Sequence, residues 1–75
     1  MGERGMTATI EVELNGRRRE IPDGLSVVGL LEFLELRPEL VVVERNREIL
    51  TRDRYHDEAV VAGDVLELVH FVGGG

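Results

Sequence analysis

The sequence predicts a small α+β domain with one helix packed on one face of a β-sheet. Three observations predict it. Strict apolar–polar alternation over residues 7–14 runs into an Asn-Gly pair, helical periodicity appears over 27–34, and a β-type run at 65–72 precedes three closing glycines. With 75 residues, the chain has room for one modest hydrophobic core and no second domain.

Thr7-Ala8-Thr9-Ile10-Glu11-Val12-Glu13-Leu14 puts apolar side chains at 8, 10, 12 and 14, the period-two pattern of a half-buried strand. Asn15-Gly16 is a two-residue hairpin signal, because both residues accept positive φ. A second strand, Arg17 to Ile21, therefore pairs antiparallel to the first, and its arginines suit a sheet edge. Pro22-Asp23-Gly24 is a turn, and Ser26 stands at an N-cap position before a helix starting at Val27. Val27, Leu30, Leu31 and Leu34 fall at the spacing of one buried helical face, and Glu32 and Glu35 point away. Gly29 costs this helix about 1 kcal/mol relative to alanine, which suggests close packing against the sheet. Pro38 stops the helix by Arg37, because the residue before proline avoids the helical region.

Leu40 to Val43 is a short, continuously apolar run rich in β-branched valine, the pattern of a strand covered on both faces or nearly so. Asn46-Arg47 turns into a short strand, Glu48 to Leu50, and residues 51–59 are charged and irregular with one helical turn at Asp53 to Tyr55. Ala62-Gly63-Asp64 turns into the last strand, Val65 to Val72. Residues 1–6 show no periodicity and are expected to form a flexible extension, followed by a domain over 7–72 and a flexible glycine tail over 73–75.

Composition narrows the function. The absence of cysteine removes a disulfide framework, a thiolate zinc site and a nucleophilic thiol together. No apolar run approaches the roughly 20 residues that cross a bilayer, and the first residues lack the apolar core of a secretory signal, so a soluble cytoplasmic protein is expected. A net charge of -6 opposes binding to nucleic acid and favours a basic protein surface as partner. All nine basic residues are arginine, so no side-chain amine is available for isopeptide linkage or Schiff-base chemistry. So little core makes a deep catalytic cleft hard to build, and size favours a substrate or carrier role over an enzyme.

The chemistry is sought at the C-terminus. Glycines without Cβ atoms thread a narrow channel and leave the terminal carbonyl carbon of Gly75 open to attack. A carboxylate is a poor electrophile, so ATP must convert it to an acyl-adenylate before a sulfur nucleophile displaces AMP. The competing view is a frayed end, the common fate of chain termini.

The segment Gly63-Asp64-Val65-Leu66-Glu67-Leu68-Val69-His70-Phe71-Val72-Gly73-Gly74-Gly75 resembles the end of bacterial ThiS proteins, the sulfur carriers of thiamin thiazole biosynthesis. Asn15-Gly16, Pro22-Asp23-Gly24 before Ser26-Val27, Leu30-Leu31 and Val42-Val43-Glu44-Arg45-Asn46 extend the likeness over Thr7 to Gly75. The resemblance implies a ubiquitin-like β-grasp fold, a mixed sheet of four to five strands with the first and last side by side in the middle. It also implies a cycle. A ThiF-like adenylyltransferase uses ATP and Mg to form the Gly75 acyl-adenylate, and sulfur mobilised by a cysteine desulfurase makes a thiocarboxylate. A ThiG-like thiazole synthase then takes the sulfur and returns the carboxylate. The carrier itself holds no tightly bound cofactor or metal. Related carriers for molybdopterin, tRNA thiolation or cysteine synthesis share the terminal diglycine, as do ubiquitin-like protein modifiers, and a noncatalytic β-grasp module is a further alternative.

Gly74 and Gly75 are thus the expected reaction site, and Glu67, Val69, Phe71, Val72 and Gly73 the expected docking residues beside it. If Leu66 and Leu68 face the helix, Glu67, Val69 and Phe71 share the other face. Two placements remain for Phe71, on that open face or folded over a core edge. His70 is expected to be a surface or rim residue without chemistry, His56-Asp57-Glu58 to be solvated charge, and Arg17-Arg18-Arg19 to be a solubilising edge.

Overall fold

The computed structural model describes residues 8–71. The expectations for residues 1–6 and Thr7, and for Val72, Gly73, Gly74 and Gly75, lie outside the described residues. Five strands form one sheet: β1 (Thr9–Leu14), β2 (Arg17–Pro22), β3 (Val41–Arg45), β4 (Glu48–Leu50) and β5 (Val65–His70). Their order is β2-β1-β5-β3-β4. β1 and β5 are parallel and the other pairs antiparallel, so the first and last strands lie together at the centre, as the family resemblance implies. The arginine-rich β2 occupies an edge.

A single α-helix, α1 (Val27–Phe33), covers one face. Val27, Leu30 and Leu31 are fully buried from its inner stripe, and they meet Val12, Leu14, Ile21, Val41, Val43 and Leu66 from the sheet. Alternation along each strand supplies this face. The amides of the first three helical residues of α1, which have no partner within the helix, all find one, and Leu30 makes the first intrahelical bond. Val27 donates to the Glu58 carbonyl, Val28 to that of Tyr55, Gly29 to the Ser26 hydroxyl at 3.0 Å and Leu30 to the Ser26 carbonyl. Ser26 is the cap that its position in the sequence predicts. The carbonyls come from residues 55–60, a segment that reads as irregular but is packed against the helix start.

Tyr55 anchors that segment. It is buried, and its hydroxyl donates to the Val41 carbonyl at 2.8 Å, so the ring joins the core and the polar tip satisfies the backbone of β3. The short helical turn spans Arg52–Arg54, one residue earlier than expected, and leaves Tyr55 at its end.

Two expectations need correction. Leu40 belongs to a 3₁₀ turn, Pro38–Leu40, and β3 begins at Val41. The strand is covered on one face only: Val41 and Val43 are buried while Val42 is half-buried on the side away from α1. The helix stays within the limit set by Pro38 and ends at Phe33, four residues before Arg37. Glu35 adopts a left-handed φ of 63°, its amide donating to Glu32 and that of Leu36 to Leu31. This is a Schellman closure with glutamate where glycine is usual.

Gly29 does not serve helix-to-sheet packing either. A Cβ there meets only the Leu25 and Ser26 side chains, at ordinary contact distances of 3.4 Å or more. Gly29→Ala and Glu35→Gly are therefore each expected to raise stability, by about 1 kcal/mol, read as a higher denaturant midpoint with an unchanged slope.

Candidate functional site

The tail follows β5, so the placement of this strand decides where the glycines start. β5 is held on both sides by asparagine side chains from the two hairpin turns. Asn15 (φ 50°) and Gly16 (φ 84°) make the β1–β2 turn. The Asn15 amide donates to the Leu66 carbonyl at 2.9 Å, its Oδ1 accepts from the Leu68 amide at 2.7 Å, and its Nδ2 donates to the Leu68 carbonyl at 3.3 Å. The side chain thus copies a peptide unit and carries the parallel ladder beyond the end of β1. Across the sheet, Asn46 (φ 51°) occupies the β3–β4 turn, where its Oδ1 accepts from the Val65 amide at 2.9 Å and its Nδ2 donates to Asp64 at 3.2 Å. Both residues read from sequence as turn formers only. Turn preference explains their positive φ but gives no sign of the grip on β5.

Asp64 is 6 % exposed. Its second carboxylate oxygen accepts from the Val61 amide at 3.0 Å, closing the turn that launches β5. Arg45 reaches toward it at 4.0 Å, pairs with Glu58 at 2.6 Å and donates to the Ala59 carbonyl. Arg54 holds the other Glu58 oxygen. Glu58 is therefore not the solvated charge expected of His56-Asp57-Glu58, because its two oxygens tie the 52–60 segment to β3. His56 and Asp57 are exposed.

The Arg54 hydrogen bond, and then that from Arg45, hold the Glu58 carboxyl below the usual carboxylate range. A carboxylate depressed in the folded state stabilises the fold above its unfolded pKa, and this contribution is lost as pH falls through the folded value. Glu58→Gln is thus expected to be less stable at neutral pH and to lose less stability on acidification, measured by denaturant titration across that range.

On β5, Leu66 is fully buried and Leu68 half-buried against the core, which places the opposite set on the open face. There Val69 is 53 % exposed, and Phe71 is 52 % exposed. Phe71 lies one residue past β5, but its amide still donates to the Leu40 carbonyl at 2.8 Å. It takes no part in the core, so of its two placements the open face is the one adopted. Val69 pairs with Val42 of β3, and Glu67 pairs with Glu44, two like charges directly opposite on the same exposed face. The described end of the chain is thus an apolar step beside an acidic pair. Val72, Gly73, Gly74 and Gly75 lie outside the described residues, and His70 is exposed on the helix side. Among the described residues, no three His, Cys, Asp or Glu side chains cluster as metal ligands, and no helix is long and apolar enough to cross a membrane.

A model of the ThiS family matches residues 12–75, from β1 to the last glycine. The chain belongs to the ThiS family. The sulfur carrier protein ThiS of Bacillus subtilis is 42% identical over 65 residues, which is 85% of this chain and 98% of that one. A thiazole synthase of Magnetococcus marinus is 38% identical over 66 residues, 88% of this chain and 20% of that protein. The crystal structure of a thiamine biosynthesis protein (ThiS) from Geobacter metallireducens superposes with a TM-score of 0.74 at 33% identity, covering 88% of this chain and all of that one. The β-grasp fold is thereby shown, and the chain is a sulfur carrier protein of thiamin biosynthesis, not a catalyst.

Proposed function

We propose that the Gly75 carboxyl is the group that carries sulfur. The carboxylate attacks the α-phosphorus of MgATP on a ThiF-like adenylyltransferase, pyrophosphate leaves, and an acyl-adenylate forms. A sulfur nucleophile fed by a cysteine desulfurase or another donor displaces AMP and leaves a thiocarboxylate. A ThiG-like thiazole synthase takes the sulfur and returns the carboxylate. ATP and Mg are used by the partner, while this chain supplies only an unhindered end, and the cycle runs in the cytoplasm. The observation that carries this reading is the family match running through Gly73-Gly74-Gly75 at the end of a chain without cysteine, where no side chain is available to hold the sulfur. Thiazole synthase as recipient is supported by the synthase that contains, in one fifth of its length, a stretch similar to most of this domain.

Phe71 and Val69, with Glu67 beside them and Val72 and Gly73 leading to the reaction site, form the docking surface in this reading. An exposed aromatic at the root of the tail is a natural anchor, since aromatic side chains dominate binding energy when a partner desolvates them. The acidic pair Glu44 and Glu67 calls for basic groups on the partner. Because Phe71 lies outside the core, Phe71→Asp is expected to leave thermal stability unchanged. It should also raise, by about tenfold or more, the carrier concentration that half-saturates ATP–pyrophosphate exchange by the adenylyltransferase. Equal exchange by the two proteins removes Phe71 from the docking surface, and no carrier-dependent exchange at all contradicts the adenylation step.

A further inference from the structure

The helix side of the sheet carries a second surface that the sulfur cycle does not use. A groove of about 580 Å³ opens between the end of α1 and the β1–β2 hairpin, with a floor that includes Leu14, Leu34, Leu36 and Leu68 and a rim that includes Arg17 and Arg19. Leu14 is buried and the other three leucines are half-buried, so the floor is apolar but accessible. Ile21 of β2 is buried against the core, and alternation along the strand puts Arg17 and Arg19 on that same side.

Charge sets this groove apart. The chain as a whole is acidic, at -6, yet three consecutive arginines stand at this edge. Arg18 pairs with Glu11, and Arg37, Arg45 and Arg54 have carboxylate partners; among the described residues Arg17, Arg19, Arg47 and Arg52 have none, and of these four only Arg17 and Arg19 line this groove.

The backbone supplies the second feature. Donation from the Phe71 amide to Leu40 and from the Asn15 amide to the Leu66 carbonyl fixes the alternation on β5: odd-numbered groups face β3 and even-numbered groups face β1. Leu66 and Leu68 are taken by Asn15. The next even position is His70, which lines the groove, and β1 has already turned away, so its amide and carbonyl find no bond among the described residues.

We propose that this groove takes an extended acidic segment of a partner protein, its carboxylates on Arg17 and Arg19, its apolar side chains on the leucine floor and its backbone against His70. Acidic and apolar residues taking turns at every second position match the site, because side chains two apart on a strand reach the same side, here the one that holds both the arginines and the leucines. The surface lies across the sheet from Phe71 and Val69, so a partner held here leaves the open face free.

The test uses the full ¹⁵N-labelled chain and a blocked octapeptide with glutamate and leucine in turn at its odd positions and threonine at its even ones, with the same peptide carrying lysine for glutamate as control. The expected result is saturable amide shifts confined to residues 17–19, 34–36 and 68–70 with the glutamate peptide, weakened at least tenfold in the Arg17→Glu/Arg19→Glu variant and unchanged in Phe71→Asp. Equal shifts with the lysine peptide, shifts centred on the open face, or none up to millimolar peptide overturn the proposal. It is overturned as well if groove resonances move with protein concentration alone, which identifies a second copy as the occupant. Movement of the 17–19 and 34–36 resonances on removal of residues 72–75 without peptide overturns it too, by identifying the chain's own tail.

Discussion

Gly74→Val is expected to cut sulfur loading by about a hundredfold or more while leaving the fold untouched. In the proposed cycle the carboxyl of Gly75 reaches the phosphorus of ATP and then presents its carbonyl carbon to a sulfur nucleophile, and misplacement by about 1 Å costs a reaction on the order of a hundredfold. A branched side chain one residue away narrows the conformations of the end and adds bulk where a channel wall must close around it. Among the described residues the buried core runs from Val12 to Leu66. Thermal unfolding of the variant should match that of the parent, so a lost activity reports on the tail rather than on folding. Loading at the parent rate would show that the end of the chain does not pass through a confined site.

Leu66→Ala has the opposite signature, with stability as the casualty. Leu66 is fully buried on the central strand between β1 and β3. Truncating a buried leucine costs about 2–5 kcal/mol, against a total near 0.05–0.15 kcal/mol per residue in ordinary domains. In a chain of 75 residues that is a large share of the whole, so the variant is expected to be partly unfolded at physiological temperature. Circular dichroism melting against the parent measures it. A midpoint within a few degrees would mean that β5 is not the keystone its position implies.

The elements with strong local signals are the ones readable in advance. Alternation fixed β1, the Asn-Gly pair fixed the hairpin, and Ser26 before the leucine stripe fixed the start of α1, because each rests on neighbours in sequence. The closure at Glu35 was hidden because glutamate rarely takes a left-handed φ, and only the tertiary seat of Leu36 explains it. Tyr55 was hidden for a related reason. A lone aromatic among Arg52, Asp53, Arg54, His56 and Asp57 has no period, and its burial depends on a carbonyl of β3 far away in the chain.

The site divides in the same way. Exposure of Val69 and Phe71 follows from the two leucines on β5 once their inward direction is known. The asparagine grips that set the course of β5 join residues 53 and 19 positions apart, and no local pattern carries that information. The side-by-side placement of β1 and β5 was likewise beyond spacing and came from the family resemblance, and the structure adds that the pair is parallel.

Intact-mass spectrometry of the chain after incubation with its adenylyltransferase, MgATP and a sulfur source tests the central claim most directly. The expected spectrum gains the increment of one sulfur replacing one oxygen, located by fragmentation at Gly75 and lost again on incubation with thiazole synthase and its substrates. An unchanged mass in a system that is making thiazole, or sulfur found on any other residue, contradicts it.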